Sequence, residues 1–562
     1  MAQAERKVVN DATRVDFSTD PPRYRHWKLS VDGEIATLLM DVDERGGLFE
    51  GHELKLNSYD LGVDIELADA LERIRFEQPA VRVVLFRSGK PRVFCAGANI
   101  RMLASASLAH KVNFCKFTNE TRNAIEDASE FSGVYTICVM TGSCAGGGYE
   151  LALATDHIIL VDDGSSSVSL PELPLLAVLP SAGGLTRVTD KRKVRRDYAD
   201  VFCTTEEGIK GKRAAEWRLV DEVLPHTKLE SAVAERARGF AAKSRRPKGA
   251  PGIALTALDR SVGPDARGYK FLSVNYARSE RTSTFSLRGP DTAPPASVEE
   301  MVAQGAAFWP LELARELDDA ILDLQFNELD TAAIIFKSEG DSAAVLAYDA
   351  FLEAYKDHWL AREIRLKWKR LLKRVDLTSR TLVALVEPGS CFAGTLAELV
   401  FAADRSYMLV GRMEGDNQPP PVLALSEVNF GAYPMSNGIT RLVSRFLGEP
   451  DSVVRASDRI GDSLEADEAA ELGLVTFALD DLDWKDEIRV FLEERASFSA
   501  DALTGMEANL RFGGPETMES KIFARLTAWQ NWIFQRPNAI GDEGALRLYG
   551  TGRKPAFDTR RV

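Results

Sequence analysis

A chain of 562 residues exceeds the size at which a single hydrophobic core stops growing, so two or three domains are expected. With 45% hydrophobic and 27% charged residues, the composition is that of a folded protein and leaves no need for disorder. A net charge of −14 argues against a nucleic-acid partner, no apolar run is long enough to span a bilayer, and the six cysteines show neither a CxxC pair nor metal-ligand spacing.

Residues 1–27 are charged and lack the apolar stretch of a signal peptide, which points to a cytoplasmic protein with reduced thiols. Two alternating segments over residues 24–42 read as a strand hairpin. "ELADALERIRFEQPAVRVVLFRSG" (residues 66–89) is an amphipathic helix leading into an apolar strand. "VFCAGANIRML" (residues 93–103) is a strand that ends in small residues and runs into a helix. "VYTICVMTGSCAGGGYELALATDHIILV" (residues 134–161) reads as a buried strand, a glycine-rich turn, a short helix and a second strand.

Much of this pattern is written twice. Residues 66–89 recur as "ELDDAILDLQFNELDTAAIIFKSEG" (residues 316–340), and "GSCAGGGYELALATD" (142–156) recurs as "GSCFAGTLAELVFAAD" (389–404). Residues 171–188 pair with 426–442, and 211–225 with 464–479. Order and spacing hold at an offset of about 250 residues, which points to tandem duplication of one α/β unit. Proline and glycine between residues 250 and 310 mark the connection, and "YKFLSVNYARSERTSTFSL" (269–287) echoes the first hairpin. Beyond residue 497 the chain turns helical without a counterpart in the first half.

Three chemistries could use the glycine turn. It could hold a phosphate at a helix N-terminus, but neither GxGxxG nor GxxxxGK(S/T) is present. It could be a nucleophile elbow with Cys144 as nucleophile and His226 as base, although a buried structural cysteine explains the same residue. It could also be an oxyanion hole, in which glycine lets a carbonyl approach the backbone and a second N–H comes from "VFCAGANIRML".

"FCAGANI", "GGGYELALATD" and "LPEL…LPSAGGLTRV", in this order, resemble the crotonase (enoyl-CoA hydratase/isomerase) superfamily from about Tyr24 to Pro225, and "DEGALRLYGTGRKPAFD" resembles the closing tail of such chains. The resemblance implies an α/β fold of tandem crotonase-like (ββα spiral) repeats with a C-terminal helical region. Residues 1–255 would form a domain carrying the active site, 256–496 a second, degenerate domain, and 497–562 a helical assembly region. It also implies an acyl-CoA substrate whose thioester oxygen is held by the backbone N–H groups of Ala98 and Gly147, with Glu150 and Glu172 activating water and moving protons. Ala96, Asn99, Arg101, Lys554 and Phe557 fall where the family meets the CoA moiety. The family often places an acidic residue at the position of Asn99, so any contact that depends on that charge is in doubt.

No metal and no redox cofactor is expected, and neither a nucleic acid nor a membrane is an expected partner. The duplicated chain is expected to assemble as a homodimer. In the second half Glu398 and Glu427 align with Glu150 and Glu172, but Thr395 stands at the oxyanion position and "EGDNQPPPV" is inserted between the two glutamates, so this copy is expected to be a scaffold. The absence of a dinucleotide fingerprint separates the chain from multifunctional fatty-acid oxidation proteins. In length and doubled architecture the chain resembles the members that open an epoxidised aromatic ring, and the resemblance implies that reaction, with hydration of linear enoyl-CoA or a Cys144-dependent hydrolysis as the alternatives.

Overall fold

The computed structural model describes residues 14–49, 53–415 and 417–562. The charged opening residues 1–13 and position 416 of the proline-rich insertion, both read above in the sequence, lie outside these ranges. The chain divides into two compact units, Met1–Leu255 and Thr256–Val562.

In the first unit, β1 (Trp27–Asp32) and β2 (Ile35–Met40) form the antiparallel hairpin, in register from Trp27↔Met40 to Asp32↔Ile35. Asp60 caps α1 (Leu61–Phe76) by accepting from the N–H groups of Gly62 and Val63. β3 (Val83–Ser88) follows, then β4 (Val93–Cys95), α2 (Ile100–Ser105), α3 (Leu108–Asp127), β5 (Tyr135–Met140), β6 (Ser143–Ala145) and α4 (Gly147–Ala154). β7 (His157–Val161), β8 (Ser167–Ser169), α5 (Glu172–Leu176), β9 (Glu222–Leu224) and α6 (His226–Ala241) complete the elements used below.

The main sheet runs β1-β2-β3-β5-β7-β9 and is parallel from β2 onward. Parallel strands covered on both faces read as continuous apolar runs, as β3 and β5 do. Leu229, Val233, Ala237 and Ala241, spaced four apart on α6, pack on Val83, Leu85, Ile137, Val139, Ile159 and Val161. A separate parallel sheet, β4-β6-β8, carries the glycine turn.

The second unit repeats the plan. β10 (Ser261–Val262), β11 (Ala266–Gly268), β12 (Leu272–Ala277) and β13 (Thr282–Arg288) are antiparallel, and the sheet continues in parallel through β14 (Ala333–Glu339), β15 (Thr381–Val386), β16 (Arg405–Leu409) and β17 (Phe477–Leu479). Its helices include α7 (Trp309–Asn327), α8 (Ser342–Ala354), α9 (Trp359–Leu377), α10 (Gly394–Ala402), α11 (Asp481–Ser497) and α12 (Ala500–Arg511). Trp484, Ile488 and Phe491 of α11 pack on Ile335, Val383, Leu385, Tyr407 and Leu409, as α6 packs in the first unit.

The duplication extends to single hydrogen bonds. Buried Glu66 accepts from the backbone of Arg25, His26 and Trp27, and buried Glu316 accepts from Lys270 and Phe271. Tyr24 donates to Asp69, and Tyr269 donates to Asp319. Each carboxylate ties the first long helix of its unit to the start of the hairpin. The helical segment after residue 497 belongs to the second unit and is held there by Arg511 on Asp404 (2.6 Å) and by the Thr381 hydroxyl donating to Glu507 (2.5 Å).

Candidate active site

β6 ends where the chain must turn sharply into α4, and each of the three glycines there meets a different neighbour. Gly146 adopts φ +54 and donates its N–H to the Ser169 carbonyl at 2.9 Å, and a side chain on it would lie 2.8 Å from Glu172 Oε1. A side chain on Gly147 would come within 2.0 Å of the Tyr59 hydroxyl, and one on Gly148 within 2.6 Å of Cys95 Cβ. The facing loop is as tight. Gly97, at φ +90, packs so closely that a side chain would lie 3.0 Å from the Ala145 carbonyl oxygen and 3.1 Å from the Gly147 nitrogen. Only backbone fits between the two loops.

This approach brings together the two predicted donors. Tyr59 N–H bonds the Gly97 carbonyl at 3.0 Å and Asn99 N–H bonds the Tyr59 carbonyl at 2.8 Å, so Ala98 is held between two fixed peptides. Among the described residues, neither the Ala98 N–H nor the Gly147 N–H has an acceptor. Gly147 also opens α4, where the helix dipole favours negative charge. Two unpaired N–H groups beside one another, one at a helix N-terminus, can stabilise an oxyanion.

Glu150 is buried on the first turn of α4, and its Oε1 accepts from Gly184 N–H at 2.8 Å. Burial raises its pKa, opposed by that bond and by the charges of Arg122 and Arg187. Glu172 opens α5 and is also buried, with Oε2 lacking any hydrogen-bond partner among the described residues. Burial, and then the charge of Glu150, push its carboxyl up to about 7. The two carboxylates therefore feel each other across the glycine turn, and one of them can carry a proton near neutrality. Such a pair can work as acid and base on one water.

The remaining candidates sit as follows. Ala96 and Arg101 are exposed on the same loop and on α2. Asn99 is buried and its side chain is used locally: Oδ1 caps α2 by accepting from Met102 N–H at 2.9 Å, and Nδ2 donates to the Glu53 carbonyl at 2.7 Å. Lys554 is exposed and Phe557 half-buried in the extended C-terminal segment of the second unit. Cys144 is fully buried in β6, where burial pushes its thiol well up, and no histidine bonds it among the described residues. That is the environment of an inert thiol.

Sequence reasoning missed Tyr59, Gly184 and the ion pair of Asp64 with Arg122 (2.5 Å), which is buried beneath Tyr59. A lone tyrosine in "LNSYDL" carries no local signal, and the Gly184 contact depends on a loop distant in sequence.

Residues 52–248 match the model of the enoyl-CoA hydratase/isomerase family. The chain is 55% identical to a benzoyl-CoA-dihydrodiol lyase of Aromatoleum evansii over 98% of each sequence. The chain belongs to the enoyl-CoA hydratase/isomerase family. A fatty acid oxidation complex alpha subunit of Aliivibrio fischeri is 29% identical over 41% of this chain and 31% of its own length. A solved enoyl-CoA hydratase of Bacillus anthracis is 27% identical over 39% of this chain and 77% of its own, with a TM-score of 0.34.

The second crotonase-like unit retains the frame of the site and fills it. Gly394 N–H bonds the Ala424 carbonyl at 3.0 Å, as Gly146 bonds Ser169, so Thr395 stands at the position of Gly147. The loop that carries Ala98 in the first unit is replaced by α8, whose buried Asp349 accepts from Thr395 N–H at 2.8 Å and from Thr395 Oγ1 at 2.6 Å. The oxyanion position is thus occupied by the unit's own carboxylate. Glu398 is locked to Arg441 (2.9 Å) and Asn429 (2.8 Å), and Glu427 is exposed. Neither of these glutamates is placed to share a water.

Proposed function

We propose that the first unit opens the ring of 2,3-epoxybenzoyl-CoA, the epoxide at the dihydrodiol level of benzoyl-CoA, in aerobic benzoate degradation. Two waters are consumed, and the products are 3,4-dehydroadipyl-CoA semialdehyde and formate. In class the enzyme is a crotonase-type carbon–carbon lyase. The observation that carries this reading is the pair of unpaired N–H groups beside two buried carboxylates, the charge of Glu150 raising Glu172, in a chain 55% identical over 98% of its length to a benzoyl-CoA-dihydrodiol lyase.

The chemistry follows from the geometry. A thioester conjugated to the ring passes negative charge to its carbonyl oxygen as water adds, and the N–H groups of Ala98 and Gly147 receive that charge. Glu150, held by Gly184, and Glu172, with one free oxygen, flank the water. The carboxylate that is ionised takes the proton of the water, and the protonated one returns a proton to the ring. Substrate, water and these side chains balance the reaction, so no resident cofactor is assigned. Ala96 and Arg101, exposed beside the Ala98 loop, are assigned to the CoA portion, as is Asn99 through its backbone. Lys554 and Phe557 are assigned to the CoA portion bound by a neighbouring subunit.

We also propose a homodimer. The second unit exposes Leu510, Met518, Phe523, Leu526, Phe534 and Tyr549 along its C-terminal helical segment, and exposed apolar side chains in one segment are what an association surface uses. Sedimentation of the purified protein would test this.

Hydration of linear enoyl-CoA is the second reading, favoured by the two-glutamate site itself. Mass spectrometry after parallel incubation with 2,3-epoxybenzoyl-CoA and crotonyl-CoA, with formate assayed, separates the two. A CoA product one carbon shorter, with matching formate, supports ring cleavage. Hydrated crotonyl-CoA beside an untouched aromatic ester supports the hydratase.

A further inference from the structure

We infer that the Tyr59 hydroxyl is a third hydrogen-bond donor at the acyl end of the site, serving a substrate oxygen that gains negative charge as water adds. The inference rests on the reading above and deepens it.

Tyr59 touches both oxyanion donors. Its backbone brackets Ala98, through the bonds to Gly97 and Asn99, and its hydroxyl lies against Gly147, where any side chain would collide with it. The residue is 2% exposed, yet its hydroxyl bonds no described residue. Other tyrosines sheltered in this unit do bond: Tyr149 donates to the Leu219 carbonyl at 2.6 Å and Tyr24 to Asp69 at 2.5 Å. The ring is buried, but the hydroxyl oxygen is not among the enclosed polar atoms that lack a partner, so it opens beside the two donors, where a ligand oxygen can take its hydrogen.

The ring is also fixed in place. Phe114 packs on it at 5.9 Å, and the Arg122 guanidinium stands 5.2 Å from its centroid while bonded to Asp64. Thr118 donates to the other oxygen of Asp64 at 2.6 Å. Burial, assisted by the charges of Asp64 and Glu150 and opposed by Arg122, keeps the phenol neutral, so it acts as a donor and not as a base. The proton stays on the phenol oxygen throughout.

Two substrate oxygens gain charge in the proposed reaction, the thioester oxygen and the ring oxygen. Tyr59→Phe separates them. Its kcat on 2,3-epoxybenzoyl-CoA should fall by about 10²–10³-fold, the usual loss for one oxyanion donor, while Tm is unchanged or higher because the hydroxyl bonds nothing in the folded chain. Benzoyl-CoA has the thioester oxygen and no ring oxygen. Unchanged affinity for it in Tyr59→Phe would assign the hydroxyl to the ring oxygen, and affinity weakened tenfold or more to the thioester oxygen.

A kcat within threefold of the parent overturns the inference, and so does a lowered Tm or failure to fold, which would make the hydroxyl structural. If the parent enzyme leaves the aromatic epoxide untouched, the ring-cleavage reading falls separately. Tyr59→Phe is then judged on crotonyl-CoA hydration and on benzoyl-CoA affinity, and no change in either overturns the donor role.

Discussion

Glu172→Gln should silence the site and at the same time stabilise the fold, by an amount that grows with pH. The Glu172 carboxyl, ordinarily near 4.5, is held at about 7 by burial and by the charge of Glu150. Between these two values the folded protein keeps a proton that the unfolded chain has released. Stability is therefore undiminished below 4.5 and falls as pH rises towards 7. At about 1.4 kcal/mol per unit of difference, the full cost above pH 7 is roughly 3 kcal/mol. Glutamine cannot ionise and escapes this cost, although its buried amide adds a constant penalty of its own. Urea unfolding of parent and variant at pH 5 and pH 8.5 should show the difference between them shifting by roughly 2–3 kcal/mol in favour of the variant. Groups that do not sense Glu172 cancel in the comparison, and the link to Glu150 is part of the measured difference. A difference that stays flat across this range would refute the reasoning, because Glu172 would then titrate like an exposed carboxyl. In the same variant kcat should fall by about 10²–10⁴-fold, the usual share of a general acid or base.

Other outcomes follow from neighbouring contacts. Since Glu150 helps raise Glu172, Glu150→Gln should move the limb near pH 7 in the residual kcat/KM profile to lower pH, and an unmoved limb would uncouple the pair. Gly147→Ala puts a methyl group 2.0 Å from the Tyr59 hydroxyl, so kcat should drop by about 10²–10³-fold as the turn is pushed off its donor position. Single-turnover kinetics would place that loss in the chemical step. Glu398→Gln strips Arg441 of one partner in the second unit and should cost about 3–5 kcal/mol in urea unfolding, with kcat per folded molecule unchanged. A large loss of kcat there would mean that the second unit carries chemistry.

The fold was legible because its signals are local and repeated. Helix 66–76 and strand 83–88 announce themselves by period and length, and the same signals recur at 316–340. The glycine turn could be read as an oxyanion-hole candidate only in company with "CAGAN", since either segment alone fits several chemistries. Tyr59 was illegible because no motif marks it; its proposed role rests on a bridge to Ala98 across 39 positions of the chain. Asn99 illustrates the opposite case. "ANIRML" already holds a helix-capping asparagine, and the structure uses its side chain for the cap and for the Glu53 carbonyl. In the second copy, the missing glycines of "SAAVLAYDAFL" signalled a lost site. That Asp349 would turn inward to occupy Thr395 could not be read from spacing, because it follows from a helix replacing a loop.

The glycine turn also bears on how a duplicated gene can drift. Each of its three glycines answers to a different neighbour: Glu172, Tyr59 and Cys95. A working copy cannot relax any of them one mutation at a time, because every exchange strikes a separate obstacle. Once the loop bearing Cys95 and Ala98 becomes helix, as in the second unit, the obstacle at the last position vanishes, and Leu396 stands where Gly148 does, beside Thr395 at the position of Gly147. Gly394 survives because its backbone, at φ +44, still makes the turn and a side chain would strike Asp349. A return to catalysis in the second unit would have to restore the loop as well as the glycines.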